Sequence, residues 1–138
     1  MQNLYTADVT VTGGREGKLA SSDGILNLEL RMPKELGGAG GAGTNPEQLF
    51  AAGYAACFES ALNLVCRMQK VKVEGTEVRG RVTIGKDDDG GFALAVQLDV
   101  TLKGIEQAQA QELAQAAHQV CPYSKATRGN IPVDIRVV

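Results

Sequence analysis

The sequence predicts an α+β fold, because segments with strand periodicity stand in groups instead of alternating singly with helices. Periodicity and turn residues divide the chain in the order strands, helix, strands, helix, strand. The chain of 138 residues is long enough for one domain, which we expect to span residues 1–138. No internal repeat or interdomain linker is visible.

The N-terminal part predicts two strands and a loop. Apolar residues alternate with polar ones over residues 4–12, and the Gly13-Gly14 pair ends this first strand. A second strand is predicted over residues 25–31. Residues 32–44 contain a glycine-rich run at 37–43, which disfavours both helix and strand. We expect a loop there that serves as a lid.

A long helix follows this loop. Thr44 or Asn45 supplies the capping side chain, Pro46 lies near the first turn, and Glu47 places a carboxylate at the positive end of the helix dipole. The apolar pattern then continues to about Gln69.

The C-terminal half predicts a hairpin, a helix and a last strand. In order, these are strands over 76–86 and 92–103 joined by the turn 87–91, a helix over 105–119, a helical turn from Cys121 to Gly129, and a strand over 131–138.

Composition and charge exclude several classes of partner. The formal net charge is -2 and no lysine or arginine cluster is present, so we expect no nucleic-acid partner. Residues 1–14 lack the features of a signal peptide, which predicts a cytoplasmic protein. The apolar segment 49–66 contains Glu59 and Asn63 and is rich in alanine and glycine, which favours a buried helix over a membrane span.

The three cysteines form no Cys-x-x-Cys pair, and cytosolic thiols are normally reduced. Cys57 lies on the predicted apolar stripe, while Cys66 lies about half a turn away from it at ~100° per residue. Either can be a small buried hydrophobe, the reading we give Cys66. Cys121 precedes Pro122 at a helix start, which favours its thiolate. The predicted stripe consists of Phe50, Gly53, Cys57, Ala61, Leu64 and Met68.

The remaining candidate residues have ordinary structural explanations. His118 near a helix end suits the negative end of the dipole, and its spacing to Cys121 fits no usual zinc site. Gly38, Gly40 and Gly43 match a dinucleotide motif, but no buried strand precedes them directly. We therefore expect neither a metal nor a cofactor.

Four stretches of the chain are together more specific than any of these features. They are Thr12-Gly13-Gly14-Arg15, residues 33–38, residues 44–58 and Val120-Cys121-Pro122-Tyr123-Ser124. In these stretches the chain closely resembles the organic hydroperoxide resistance proteins of the OsmC/Ohr family. The resemblance implies antiparallel sheets around a long central helix, in an intertwined homodimer with two active sites at the subunit interface.

The resemblance also implies an activity and a set of site residues. The expected enzyme is a thiol peroxidase that reduces organic hydroperoxides to alcohols and is recycled by lipoylated proteins or small dithiols. Cys57 matches the family's peroxidatic cysteine, Cys121 the resolving cysteine, Arg15 the activating arginine, and Glu47 its carboxylate partner. Cys66 matches no functional position. Without the resemblance, Arg15 is an ordinary solvated arginine and Glu47 a first-turn carboxylate.

Helix geometry adds one expectation about assembly. Glu47 and Cys57 are ten residues apart, which is ~15 Å of rise on a continuous helix. One arginine would not readily span that distance, so we expect a site composed of residues from two chains in an obligate dimer. Apolar residues around Cys57, including Phe50, Leu64 and Met68, should favour alkyl or fatty-acyl hydroperoxides. A hydroperoxide sensor and a non-catalytic carrier of hydrophobic ligands remain the alternatives.

Overall fold

The computed structural model describes all 138 residues and confirms an α+β fold with two three-stranded sheets and a long helix. The elements are β1 (Val9–Thr12), β2 (Lys18–Ser21), β3 (Asn27–Glu29), α1 (Pro46–Met68), β4 (Gly75–Lys86), β5 (Phe92–Lys103), α2 (Gln107–Val120), α3 (Pro122–Thr127) and β6 (Val133–Val137). The chain forms two compact units, Met1–Leu49 and Phe50–Val138, which are described separately below.

The first unit contains the antiparallel sheet β1-β2-β3. Its first strand begins at Val9, five residues later than predicted, because β2 is short and pairs only from Val9 opposite Ser21 to Thr12 opposite Lys18. β2 is a strand that the sequence pattern did not predict. β3 is also shorter than the predicted strand over 25–31.

The glycine-rich loop of the first unit is folded back on its own beginning. The N–H of Gly38 donates to the carbonyl of Pro33, and that of Gly40 donates to the carbonyl of Met32. A Cβ on Gly38 would lie against the Met32 backbone, which explains why glycine is needed at this position. The predicted loop is confirmed apart from a 3₁₀ turn at Lys34–Leu36. Its role as a lid stays a prediction.

The second unit contains the sheet β4-β5-β6. The predicted hairpin is confirmed, with Gly75 opposite Lys103 and Lys86 opposite Phe92. The expectation of purely antiparallel sheets is wrong, because β6 pairs with β5 in parallel, from Val133 opposite Val96. α2 and α3 lie between these two strands in the chain and provide the crossover that parallel pairing requires.

α1 packs in the core of the second unit along a different stripe from the one predicted. Leu64 and Met68 of the predicted stripe are 38% and 72% exposed, while Cys57 is half-buried at the edge of the core. Two apolar faces are possible on so apolar a helix, and packing selects between them. The buried residues of α1 are Tyr54, Phe58, Ala61, Leu62, Val65 and Cys66, which join apolar residues of β5 and α2.

By length and composition alone, α1 could cross a membrane, since it has 23 residues and its most apolar window has a mean hydropathy of 1.4. The same composition is typical of a core helix, and Tyr54, Phe58 and Leu62 are fully buried in the protein. α1 is therefore a core helix of this unit. Where it passes β4, a Cβ on Gly80 would lie 2.9 Å from the carbonyl oxygen of Ala51, so the close approach depends on glycine.

Candidate active site

Arg15 is presented by a tight turn between β1 and β2. The turn is a 3₁₀ helix at Gly14–Glu16, preceded by Gly13. Gly13 and Gly14 have φ angles of 78° and 55°, a region that glycine enters without a steric penalty. A Cβ on Gly17 would clash with the carbonyl oxygen of Thr12, so this position also requires glycine. The glycines therefore set the direction in which the guanidinium leaves the backbone.

Arg15 and Glu47 form a bidentate ion pair within the first unit. The Nη1 and Nη2 atoms of Arg15 donate to the two carboxylate oxygens of Glu47 at 2.8 and 2.7 Å. This pairing raises the pKa of Arg15 and lowers that of Glu47 from its ordinary value of 4.5, even though partial burial opposes both shifts. Both groups are therefore charged, and the planar fork fixes the guanidinium orientation.

The start of α1 places Glu47. The side chain of Asn45 accepts a hydrogen bond from the N–H of Gln48 at 2.8 Å, so Asn45 is the capping residue of the two predicted candidates. Pro46 is the first residue of the helix, and Glu47 follows it in the first turn. The carboxylate is therefore at the positive end of the helix dipole.

Cys57 and Cys121 are brought together within the second unit. Their sulfur atoms are 3.6 Å apart, with the thiol of Cys121 donating to the sulfur of Cys57. Both cysteines are free, and Cys121 is fully buried. A disulfide has an S–S distance of about 2.05 Å, so a modest approach of the two sulfurs would allow a bond.

The environment of Cys57 favours the thiol over the thiolate. Burial raises the pKa of Cys57 above its ordinary value of 9.0, and the contact with Cys121 raises it further. A hydrogen bond from the backbone N–H of Tyr123 acts in the opposite direction but does not reverse the shift. No cationic side chain of the second unit contributes. Residues 50–138 alone thus leave this sulfur weakly nucleophilic.

Cys121 is located where two helices meet. Its N–H donates to the carbonyl of Ala117 in α2, and its carbonyl accepts from the N–H of Lys125 in α3. Pro122 is the first residue of α3, as the sequence predicted for a helix start. The chain bend between α2 and α3 therefore directs this sulfur towards α1.

An aromatic cluster lies beside the two cysteines. Phe50 and Tyr123 meet edge-on with their ring centroids 6.4 Å apart, and the ring centroid of Tyr54 is 5.7 Å from that of Tyr123. A Cβ on Gly53 would lie 2.7 Å from the hydroxyl oxygen of Tyr123, so glycine at this position leaves room for the ring. Since the N–H of Tyr123 binds Cys57, this residue joins the aromatic cluster to the thiol.

Sequence reasoning missed a buried polar network around α3. The hydroxyl of Tyr54 bonds to Ser124 at 2.8 Å and to Thr127 at 3.1 Å. The Nδ1 atom of His118 also bonds to Ser124, at 2.8 Å. The available signal was the pair of hydroxyl residues three positions apart on a short helix, which share one face.

The predicted dipole role of His118 is wrong. Burial lowers the pKa of His118 from its ordinary value of 6.5, and the charge of Arg128 lowers it further, so the ring is neutral at pH 7. Arg128 makes the contact expected of a basic residue at this helix end, because its guanidinium donates to the carbonyl of His118 at 2.6 Å. The imidazole is instead part of the buried network.

The remaining candidates lie apart from these groups. Cys66 is 3% exposed in the apolar core, where burial raises its pKa, and it contacts neither of the other cysteines. No group of three His, Cys, Asp or Glu side chains is arranged to hold a metal ion. The structure thus forms two pairs from the four predicted site residues, one in each unit.

Comparison with known proteins shows a consistent pattern of similarity. Residues 37–136 match the OsmC-like protein family. The organic hydroperoxide resistance protein of Xanthomonas axonopodis pathovar citri is 54% identical over 133 residues, which is 96% of this chain and 93% of the relative. The crystal structure of the organic hydroperoxide resistance protein OhrB of Bacillus subtilis has a TM-score of 0.92 at 50% identity, over 99% of this chain and 100% of that one.

A third relative carries a bound molecule. A protein from Vibrio cholerae, described as an organic hydroperoxide resistance protein, has captopril bound in one of its active sites. Its structure matches with a TM-score of 0.92 and 48% identity, and the match covers 99% of this chain and 94% of the other.

Proposed function

The chain belongs to the OsmC-like protein family, among the organic hydroperoxide resistance proteins, and we propose that it is a cysteine-based peroxidase that reduces organic hydroperoxides to alcohols. The observation that carries this proposal is the 3.6 Å separation of the free Cys57 and Cys121 sulfurs. It supports a redox pair that cycles between thiols and a disulfide. We place the enzyme in the cytoplasm, where reduced thiols are maintained.

The first step consumes the hydroperoxide. The Cys57 thiolate attacks the terminal oxygen of the substrate, so that the O–O bond breaks and an S–O bond forms. Cys57 becomes a sulfenic acid, and the organic fragment leaves as an alkoxide that takes up a proton to give the alcohol. Hydrogen-bond donors aimed at the alkoxide oxygen lower the barrier to this step.

The second step traps the oxidised sulfur. The Cys121 sulfur attacks the sulfenic sulfur of Cys57, which forms the disulfide and releases water. A dithiol, such as a lipoylated protein, then reduces the disulfide by thiol exchange and leaves as its own cyclic disulfide. The short sulfur-to-sulfur distance supports rapid closure, which protects Cys57 from a second hydroperoxide.

Activation of Cys57 needs a cation, because burial raises its pKa and residues 50–138 supply none. We assign this role to Arg15, held in a fixed orientation by Glu47. Along α1 the separation of Glu47 and Cys57 amounts to ~15 Å of rise. For this reason we propose that Arg15 of the partner subunit serves each Cys57, in an obligate homodimer.

The aromatic cluster supports a preference for organic substrates. Phe50 and Tyr123 offer apolar surface beside the two cysteines, and each buried methylene group of a substrate contributes about 0.8 kcal/mol. The predicted contribution of Leu64 and Met68 is not supported within the second unit, since both side chains are exposed there.

The primary test is kinetic. The Cys57→Ser variant should not reduce tert-butyl hydroperoxide, whereas Cys121→Ser should complete one turnover and then fail to be recycled by a dithiol. Cys66→Ala is the matched control, because Cys66 is a cysteine of α1 that faces the core, and it should retain turnover. Full activity of Cys57→Ser would refute the proposal.

The composite site has its own test, which uses two inactive variants. Arg15→Ala and Cys57→Ser should each be inactive, but their co-expression should restore about a quarter of wild-type activity, because about half of the dimers are mixed and each has one intact site. The control is wild type co-expressed with the Arg15→Ala/Cys57→Ser double variant. No recovery in the first mixture, or a folded and fully active monomer on dilution, would exclude a shared site.

Thiol titration separates the peroxidase from the two alternatives. One equivalent of hydroperoxide should consume two of the three free thiols in each chain, whereas a ligand carrier would lose none. A sensor would lose the same two thiols, but it would not sustain turnover with a lipoyl dithiol.

A further inference from the structure

The buried polar network lies about one helical turn from the cysteine pair on both α1 and α3. Tyr54 precedes Cys57 by three residues on α1, and Ser124 follows Cys121 by three residues. The hydroxyl groups of Tyr54 and Ser124 meet at 2.8 Å, and the two sulfurs meet at 3.6 Å. Two contacts, each about one helical turn from the other, thus join the Cys57 region of α1 to the start of α3.

The network is buried and fully paired. Tyr54 and Ser124 are 0% exposed and Thr127 is 5% exposed. One direction of donation satisfies every member: His118 Nδ1–H to Ser124, Ser124 to Tyr54, Tyr54 to Thr127, and Thr127 to the Ser124 carbonyl. No buried side-chain nitrogen or oxygen lacks a partner. Loss of one hydroxyl would leave a desolvated partner unpaired, which penalises the docked arrangement.

α3 depends on such contacts for its position. It has only six residues, too few for a helix to be stable by its own backbone hydrogen bonds. Yet α3 and its cap carry three groups of the site: the Cys121 sulfur, the Tyr123 N–H that binds Cys57, and the Tyr123 ring. Ser124 and Thr127 attach it to α1 through Tyr54, and His118 attaches it to α2.

We propose that Tyr54, Ser124, Thr127 and His118 are positioning residues for the resolving step: they hold α3 docked and so keep Cys121 within reach of the Cys57 sulfenic acid. This inference rests on the proposed peroxidase function and deepens it. It predicts a larger effect on closure than on attack, since closure needs the Cys121 sulfur in contact with Cys57, whereas attack draws on α3 only through Tyr123. A displacement of about 1 Å in a reacting group can cost roughly 100-fold in rate.

The network thereby sets the tolerance of the enzyme to excess substrate. A Cys57 sulfenic acid that waits for Cys121 reacts with a second hydroperoxide and becomes a sulfinic acid, which a dithiol does not reduce. Slower closure should therefore lower the hydroperoxide concentration at which the enzyme inactivates. A network that merely satisfies buried polar groups would affect stability and leave this concentration unchanged.

The test measures attack and closure separately in Tyr54→Phe, which removes one hydroxyl and keeps the ring. Reduced protein is mixed with tert-butyl hydroperoxide, and alkylation followed by mass spectrometry reports thiol, sulfenic, disulfide and sulfinic forms over time. Closure should slow roughly 10- to 100-fold, while the second-order rate of attack should fall by a clearly smaller factor, because α3 contributes only Tyr123 to the surroundings of Cys57. The hydroperoxide excess that inactivates half of the enzyme should fall by the same factor as closure.

Further variants keep the proposal testable if Tyr54→Phe folds poorly. Thr127→Val and His118→Leu should also slow closure, whereas His118→Asn, which retains a hydrogen-bonding group near the Nδ1 position, should largely restore it. Tyr5→Phe is the control, because this tyrosine is 82% exposed and belongs to the first unit.

The outcomes distinguish the two levels of the proposal. The network has only a structural role if Tyr54→Phe and Thr127→Val melt at lower temperature but form the Cys57–Cys121 disulfide at the wild-type rate. That result would overturn this inference. Absence of a Cys57–Cys121 disulfide in the wild-type protein would instead refute the proposed function itself.

Discussion

The Arg15–Glu47 pair and the Cys57–Cys121 pair are held in place by different kinds of structure. The ion pair lies in the small first unit, where glycine-dependent backbone geometry presents a partly exposed guanidinium. The thiol pair lies in the second unit, where helix packing and a buried polar network hold a fully buried cysteine against a half-buried one.

The two regions differ in how they affect the charged form of their functional groups. The first unit stabilises its charges, because the bidentate contact lowers the pKa of Glu47 and raises that of Arg15. The second unit does the opposite, since burial raises the pKa of Cys57. Neither pair alone is suited to peroxide chemistry, which is why the proposed activity invokes the partner subunit's Arg15 as the cation for Cys57.

The largest expected effect comes from removing that cation. In Arg15→Ala, the pKa of Cys57 should rise above its ordinary value of 9.0, as burial dictates, and hydroperoxide turnover should fall roughly 10²- to 10³-fold. In the wild-type dimer, the proposed contact with the partner subunit's Arg15 should hold the pKa of Cys57 below that of the Arg15→Ala variant. The rate of Cys57 alkylation as a function of pH measures both values.

Two variants sharpen this test. Arg15→Lys keeps the charge but loses the bidentate fork, so we expect an intermediate rate. Arg136→Ala removes an exposed arginine that also pairs with a carboxylate, Asp134, and should change nothing. If Cys57 alkylation has the same pH profile in wild type and Arg15→Ala, Arg15 does not lower the pKa of Cys57.

The sequence predicted the regular parts of the fold well. The β4-β5 hairpin and α1 follow from residue periodicity and from local turn and cap residues, and these signals act over short distances. β2 was missed because four residues are too few for a period-2 pattern to be recognised. The parallel pairing of β6 was missed because strand direction depends on the crossover path through α2 and α3, which periodicity does not encode.

Local sequence patterns also predicted only part of the candidate site. Residue patterns alone gave Arg15 and Glu47 ordinary structural roles, and only the resemblance to a family assigned them to a site. The Tyr54, Ser124 and His118 network joins residues from three different helices. Contacts of this kind are set by tertiary packing, and each residue by itself is unremarkable in the sequence. His118 illustrates this, since its position suggested a helix dipole role and its neighbours determined another.

A smaller effect is expected from the packing around Tyr123. In Gly53→Ala, the new methyl group would lie 2.7 Å from the hydroxyl oxygen and 3.2 Å from the ring of Tyr123, so the ring must shift. Overpacking of this kind costs about 1–3 kcal/mol, which should appear as a lower melting temperature. Turnover should fall about tenfold, because Tyr123 also donates its N–H to Cys57.

Gly85→Ala is the matched control for this substitution. Gly85 lies in β4 with no atom within 4 Å of an added Cβ, and neither stability nor turnover should decrease. A Gly53→Ala protein with wild-type stability and wild-type turnover would show that the Tyr123 ring is not needed in its observed place.

The smallest expected effect is a pH dependence of stability that separates the two regions. His118 has a folded-state pKa below its ordinary value of 6.5, so the unfolded chain binds more protons as the pH falls from about 6.5 towards the folded pKa. The melting temperature should decline in that window. Glu47 has a folded pKa below 4.5, so the stability from its ion pair is present above about pH 4.5 and is lost as the pH falls further.

Melting curves between pH 7.5 and pH 3 test this separation. His118→Asn should remove the decline that begins near pH 6.5 and keep the acid one, while Glu47→Gln should keep the first and reduce the acid decline, to which Asp23 and Asp89 also contribute. If wild type and His118→Asn instead lose stability in parallel below pH 6.5, the imidazole is not held neutral by burial. A charged ring still carries the Nδ1–H that donates to Ser124, so this outcome would change the charge of the buried network and leave its hydrogen bonds in place.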